Sequence, residues 1–151
     1  MKNLKTMLSS EDMTWETPQN FFDELNVEFQ FTLDPCATKE TAKCEKFYTK
    51  EDDGLSKDWT GETIFCNPPY GSEIKNWVRK CSIESTHVPR KPIVMLIPAR
   101  TDTRYFHDYI YQKPNVKIRF IKGRLKFGGK QKGSGAAPFP SMVVIFNPPK
   151  V

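Results

Sequence analysis

No stretch of this 151-residue chain approaches the roughly 20 consecutive apolar residues that a membrane-spanning helix needs. The first 13 residues carry two lysines but no apolar core of the kind a secretory signal has. Histidine occurs only twice, as the isolated His87 and His107, and none of the four cysteines (Cys36, Cys44, Cys66, Cys81) falls in a C-x-x-C pair. Metal-ligand spacing is therefore missing, and a disulfide framework is not indicated. These absences lead to the expectation of a cytoplasmic protein with reduced, mostly buried thiols, no bound metal and no membrane association. Acid is missing from one end of the chain. From Tyr109 onward there is no Asp or Glu, whereas Lys113, Lys117, Arg119, Lys122, Arg124, Lys126, Lys130, Lys132 and Lys150 are basic. The net charge of +5 is thus concentrated in one cationic half, which suits a polyanionic partner.

The length fits one domain, and 38% hydrophobic residues are enough for a core. The polar, aperiodic segment 1–13 is expected to be a loose arm, with the folded domain spanning 14–151. Thr17-Pro18 reads as a helix start, Thr17 capping and Pro18 in the first turn, with Phe21, Phe22 and Leu25 on the buried side. Phe29, Phe31 and Leu33 alternate with Gln30 and Thr32, which predicts a strand ending at Asp34. Residues 35–62 are irregular, with at most a short strand near Phe47-Tyr48. Thr63–Cys66 reads as a buried strand stopped by Asn67-Pro68-Pro69. Ser72 is placed to cap a helix whose Ile74, Trp77, Val78 and Cys81 form an amphipathic stripe. Ile93–Ile97 predicts a strand covered on both faces. Asp102 is placed to cap a helix running to about Tyr111, followed by a half-covered strand at 116–121, a glycine- and lysine-rich loop at 123–135 and a last apolar strand at 142–146. Alternating strands and helices predict a single-domain α/β fold, a Rossmann-like sheet with helices on both faces.

The sharpest chemical signal is Asn67-Pro68-Pro69-Tyr70, directly after a buried strand. A planar amino group such as that of adenine is a poor nucleophile, because its lone pair is delocalised into the ring. Two acceptors aimed at its N–H bonds would localise that pair, and the Asn67 side-chain oxygen and the Pro68 carbonyl can supply them. The prolines stiffen the loop and remove competing donors. Tyr70 adds an aromatic face for a base taken out of its stack, a contact of about 1–3 kcal/mol. Asn147-Pro148-Pro149 repeats three of these residues after another apolar strand, without the aromatic residue or the following helix. Context, not the tripeptide, therefore has to separate the two.

From Thr17 to about Phe146 the chain resembles the phage-type DNA N6-adenine methyltransferase family. The resemblance is carried by Thr17-Pro18 with Phe21-Phe22, Leu33-Asp34-Pro35-Cys36-Ala37, Asp52-Asp53-Gly54-Leu55 with Asp58-Trp59, and Asn67-Pro68-Pro69-Tyr70-Gly71. It continues through Leu96-Ile97-Pro98-Ala99-Arg100-Thr101-Asp102-Thr103, Gly123-Arg124-Leu125-Lys126-Phe127, and Phe139 with Ser141. Such proteins are typically small and belong to phages, prophages or restriction–modification systems. The resemblance implies a methyltransferase sheet that uses S-adenosyl-L-methionine in a bacterial host cell. It implies that Asp34, Cys36 and Ala37 meet the methionine part of the cofactor, with Trp15, Thr17 and Pro18 against the same end. Asp53, Gly54 and Leu55 would contact its adenosine, with Asp52 and Asp58 competing for the carboxylate role. The glycine-rich turn that broader methyltransferases place after their first strand is missing from Asp34-Pro35-Cys36-Ala37-Thr38, so the cofactor has to be approached with a different backbone geometry.

Arg100, Arg104, Arg124, Lys126, Lys130 and Lys132 are candidate contacts to the DNA backbone. Alternatives for the same loop are methylation of an RNA base or a protein glutamine, whose planar amino groups pose the same problem. A non-catalytic DNA-binding protein on the same scaffold is a further alternative. The sequence leaves room for a homo-oligomer and does not specify a recognised DNA site.

Overall fold

The computed structural model describes residues 13–129 and 135–149. Along them run helix α1 (Gln19–Phe29), strands β1 (Leu33–Asp34) and β2 (Lys46–Phe47), a 3-10 turn (Gly54–Ser56), strand β3 (Ile64–Cys66) and helix α2 (Ile74–Glu84). Strand β4 (Ile93–Pro98), a short π-helix (Phe106–Ile110) and strands β5 (Val116–Phe120) and β6 (Ser141–Phe146) complete the chain. The strands form one sheet in the order β2-β1-β3-β4-β6-β5. The first four are parallel, and β6 runs antiparallel to both β4 and β5. This is a mixed α/β fold in a single small domain.

The two longest apolar runs explain the centre of the sheet. Every residue of β4 and of β6 is buried, so neither strand has a face to offer water. Neighbouring residues of a strand point to opposite faces, and β3 uses both. Phe65 packs edge-on against Phe22 of α1 at 5.1 Å, while Cys66 meets Cys81 of α2. The helices therefore cover opposite faces. The predicted stripe of α2 is the buried one: Ile74, Trp77, Val78 and Cys81 are all in the core. All four thiols are free; Cys66 and Cys81 are buried, and Cys36 and Cys44 half-buried.

Four expectations need correction. Of the strand expected from Phe29 to Asp34, only Leu33–Asp34 forms, as β1. Helix α1 continues through Phe29 and stops at Gln30, whose φ of 57° lets its N–H reach back to Asn26 O at 2.8 Å. The alternation of Phe29 and Phe31 has another cause, since the two rings stack on each other across this helix end at 5.6 Å. Thr17 does not cap α1: Pro18 occupies the cap position, and no side chain bonds the first turn. Ser72 does not cap α2, which begins after Glu73. Asp102 caps nothing; helical winding starts at Arg104, and Thr103 Oγ1 accepts from Phe106 N at 3.4 Å.

Of the expected arm, residues 1–12 lie outside the described residues. Met13 accepts from Tyr70 N at 2.9 Å through its carbonyl. None of the described helices is long and apolar enough to cross a membrane.

Candidate active site

In an open sheet of parallel strands, ligands gather beyond the carboxyl ends, where loops diverge. Asp34 ends β1, Asn67 follows β3, and Ala99-Arg100 follow β4. Because β6 is antiparallel, the second Asn-Pro-Pro leaves the sheet at the opposite end, where Phe146 pairs with Ile93 at the start of β4. There Asn147 donates through Nδ2 to Ser85 O at 2.7 Å and to Lys91 O at 3.3 Å. It is a structural tie, and of the two only Asn67 stands at the carboxyl ends of the parallel strands.

The side chain of Asn67 is held on both sides. Its Nδ2 donates to the carbonyl of Trp15 and to Thr17 Oγ1, the latter at 2.9 Å. Its Oδ1 accepts from the Tyr70 hydroxyl, which has a second acceptor in Leu96 O at 2.9 Å. Burial pushes the Tyr70 phenol well above its ordinary range, so it keeps its proton and remains a donor. Pro68 is buried and Pro69 half-buried. The Tyr70 ring is only 6% exposed, packed among Trp15, Phe127 and Phe139. Trp15 lies nearly parallel to it, with ring centres 6.5 Å apart. Its aromatic face is thus covered rather than open in this arrangement.

A strap formed by residues 13–17 makes this cluster. Met13 O accepts from Tyr70 N, and Glu16 bridges to Gly128 in antiparallel fashion, its carbonyl accepting from Gly128 N at 2.9 Å. Beside the strap opens a cleft of about 590 Å³ whose walls include Glu16, Thr17, Pro18, Lys43, Lys126 and Phe127. Neither Glu16 nor Lys43 is conspicuous in the sequence. Glu16 is placed by its main-chain bond from Gly128, more than a hundred residues away, and Lys43 by donating to Asp34 Oδ2 and Gln19 Oε1, all beyond the reach of local patterning.

On the β1 side, Asp34 is buried and committed to its own loop. Its Oδ2 accepts from Lys43 N at 3.0 Å and its Oδ1 from Cys36 N at 3.3 Å. Burial raises its pKa to about 7, more than those two bonds lower it. Ala37 N donates to Tyr48 O, closing the same loop onto the end of β2. Burial likewise pushes the Cys36 thiol up, away from thiolate reactivity. Gly54 is buried so tightly that a Cβ there would stand 2.2 Å from Pro35 O, and half-buried Leu55 packs on the core. The three competing carboxylates separate cleanly. Asp52 accepts from Thr49 N and Oγ1, and Asp58 from Thr60 N and Oγ1, each closing its own turn. Asp53 is exposed, in a left-handed conformation with φ of 56°.

The cations divide too. Arg119 forms a two-pronged pair with Glu28, one N–H···O bond at 2.8 Å, and lies over the Phe29 ring. It fastens β5 to α1 and is not a spare charge. Arg100, Arg104, Arg124 and Lys126 are exposed, and Arg124 also reaches Ala137 O at 3.4 Å. Lys130 and Lys132 lie outside the described residues. His87 is not isolated. Its Nδ1 lies 2.6 Å from Glu84 Oε2 and 3.1 Å from Thr60 Oγ1, with Asp58 at 3.9 Å. This is the group of potential metal-ligating atoms found among the described residues. Lys80 already sits 3.2 Å from Glu84 Oε1, and Glu84 ends α2, whose start faces the Asn67 loop, so about 16 Å of helix separates the two places.

A family model described as DNA N-6-adenine-methyltransferase (Dam) matches residues 4–151. The DNA N-6-adenine-methyltransferase of Haemophilus phage HP1 is 29% identical over 152 residues, covering 98% of this chain and 86% of that protein. The protein of the same description from Escherichia phage T1 is 33% identical over 96 residues, 62% of this chain and 39% of its own length. The chain belongs to the DNA N-6-adenine-methyltransferase (Dam) family.

Proposed function

We propose that this protein transfers a methyl group from S-adenosyl-L-methionine to the N6 amino group of adenine in DNA, as a single Rossmann-like domain (residues 14–151) working in the cytoplasm of a bacterial host. The observation that carries the reading is the side chain of Asn67, fixed at the ligand end of β3 with its oxygen turned towards a hydroxyl that has another acceptor available. An incoming amino group can take over Asn67 Oδ1 while Tyr70 retains its bond to Leu96 O. A second N–H of that amino group donates to the Pro68 carbonyl. With both N–H bonds engaged, the nitrogen lone pair is left to face the methyl donor. The Trp15 ring has to turn off Tyr70 before an extruded base can stack there, while the Trp15 carbonyl keeps its bond from Asn67 Nδ2.

The cofactor supplies a methyl group already activated on a sulfonium sulfur, which leaves the chain the work of positioning. The residues present suit such a molecule. Glu16 and Lys43, of opposite charge, stand on the wall of one cleft with Thr17 and Pro18, complementary to the ammonium and carboxylate of an amino-acid head. Asp34, Cys36 and Ala37 are not among the walls of that cleft; Asp34 adjoins it through its bond from Lys43 N, and the three are assigned to the methionine end of the cofactor. Asp53, unlike Asp52 and Asp58, is not committed to its own turn and can accept from a ribose hydroxyl, beside Gly54 and Leu55. Arg100, Arg104, Arg124, Lys126, Lys130 and Lys132 serve the phosphate backbone.

The test is methyl transfer from labelled cofactor onto DNA, RNA and protein in parallel, with the product nucleoside identified by mass spectrometry. N6-methyladenine in DNA is the expected product. Label confined to RNA or to protein would overturn the substrate assignment.

A further inference from the structure

We infer that Thr17 is a positioning residue for methyl transfer, its hydroxyl oxygen holding the Asn67 carboxamide so that Oδ1, not Nδ2, faces the substrate nitrogen. This rests on the proposed reaction at Asn67 and goes beyond it. A carboxamide has nearly the same shape when its oxygen and nitrogen exchange places. The flipped form would present two N–H donors to an amino group that is itself a donor, and catalysis would be lost. The orientation therefore has to be enforced from behind.

The Trp15 carbonyl selects the orientation, and Thr17 Oγ1, able to accept as well as donate, secures it. The Trp15 carbonyl can only accept, so the atom facing it must be Nδ2, and Thr17 Oγ1 takes the second proton at 2.9 Å. With both Nδ2 protons engaged, rotation of the amide would break two bonds at once. Donation by the nitrogen also shifts electron density towards Oδ1 and makes it a better acceptor. Thr17 is 4% exposed. Its position directly before Pro18 and α1 is where a threonine ordinarily caps a helix, yet the first turn receives no side-chain bond. The hydroxyl has been given to Asn67 instead.

The experiment compares Thr17→Val, which keeps the shape and removes the acceptor, with Thr17→Ser, which keeps the acceptor. Turnover on DNA is measured at saturating cofactor, with cofactor affinity measured separately by calorimetry. Thr17→Val is expected to lower kcat at saturating cofactor about 10- to 50-fold while leaving KM for DNA within about twofold; because Thr17 also lines the cleft given to the cofactor, a change in its Kd is read separately. Thr17→Ser retains wild-type turnover. In an Asn67→Ala background, Thr17→Val has no further effect. If Thr17→Val does not fold, Thr17→Ala is read in the same way. A valine or alanine variant with wild-type kcat overturns the inference, as does a loss expressed entirely in cofactor Kd. A wild-type protein that makes no N6-methyladenine overturns the proposed function itself, and that outcome is visible before any variant is compared.

Discussion

Gly54→Ala probes how the loop after β1 and the 3-10 turn at Gly54–Ser56 are assembled against each other. A Cβ at this position would lie 2.2 Å from Pro35 O, 3.2 Å from Pro35 C and 3.3 Å from the Trp77 ring. The first distance is about 1 Å inside normal contact, and neither partner can give way cheaply. The Pro35 carbonyl follows directly on Asp34, whose carboxylate holds Cys36 N and Lys43 N. On the other side the Gly54 carbonyl is fixed by Trp59 Nε1 at 2.9 Å, and Trp59 is 1% exposed. Overpacking between two anchored main-chain segments destabilises by about 2–3 kcal/mol, a loss of about 4–12 °C in Tm for a chain of this size. Because the displaced segment carries Asp53, cofactor affinity should fall as well. Gly61→Ala is the control: it has a positive φ of 84° but nothing within 4 Å, so only backbone strain of about 1 kcal/mol is expected. Thermal melting and calorimetric titration with S-adenosyl-L-methionine are the assays. A Gly54→Ala protein that melts within a degree of wild type and binds cofactor normally would refute the close approach of these loops and the placement of Asp53 that follows from it.

Three further outcomes are expected. Asp34, raised from 3.8 to about 7, keeps a proton in the folded protein that the unfolded chain releases, so its ionisation erodes stability as pH rises from about 4 through 7. The difference in Tm between wild type and Asp34→Asn should therefore shift against wild type as buffer pH is raised across that window; a constant difference in scanning calorimetry would contradict the assignment. Joint replacement of Arg124 and Lys126 by Ala should weaken DNA binding in low salt and reduce the slope of log affinity against log salt by about 0.9 for each phosphate no longer neutralised, and an unchanged slope would remove these residues from the interface. Arg119→Ala, by contrast, should leave that slope unchanged and cost at most about 1 kcal/mol of stability, since its pair with Glu28 is 40% and 42% exposed.

What the sequence makes legible depends on how local the cause is. Strands β3, β4 and β6 are readable because continuous apolar runs have nowhere to lie but inside a sheet, and α2 because its stripe has helical spacing. The stretch from Phe29 to Thr32, ahead of the two-residue β1, misleads because ring stacking across a helix end produces the same alternation as a half-buried strand. Thr17 misleads for a related reason. Its place before Pro18 has the local signature of a cap, but a partner fifty residues away takes its hydroxyl. The Asn67 loop is legible as chemistry, and the fold explains why its repeat at Asn147 is not a second site, since one antiparallel strand sends it to the other end of the sheet. The strap across Tyr70 and the pairing of Glu16 with Gly128 are not legible, because main-chain hydrogen bonds carry no side-chain signature. Among the aspartates, the roles of Asp52 and Asp58 follow only from the turns they close.

The most direct measurement is single-turnover methyl transfer to DNA by wild type and Asn67→Ala at saturating cofactor, with N6-methyladenine counted by nucleoside mass spectrometry. The rate should drop by about 100-fold or more in the variant, while calorimetry shows cofactor binding intact. Wild-type turnover in Asn67→Ala would contradict the central role given to its side-chain oxygen.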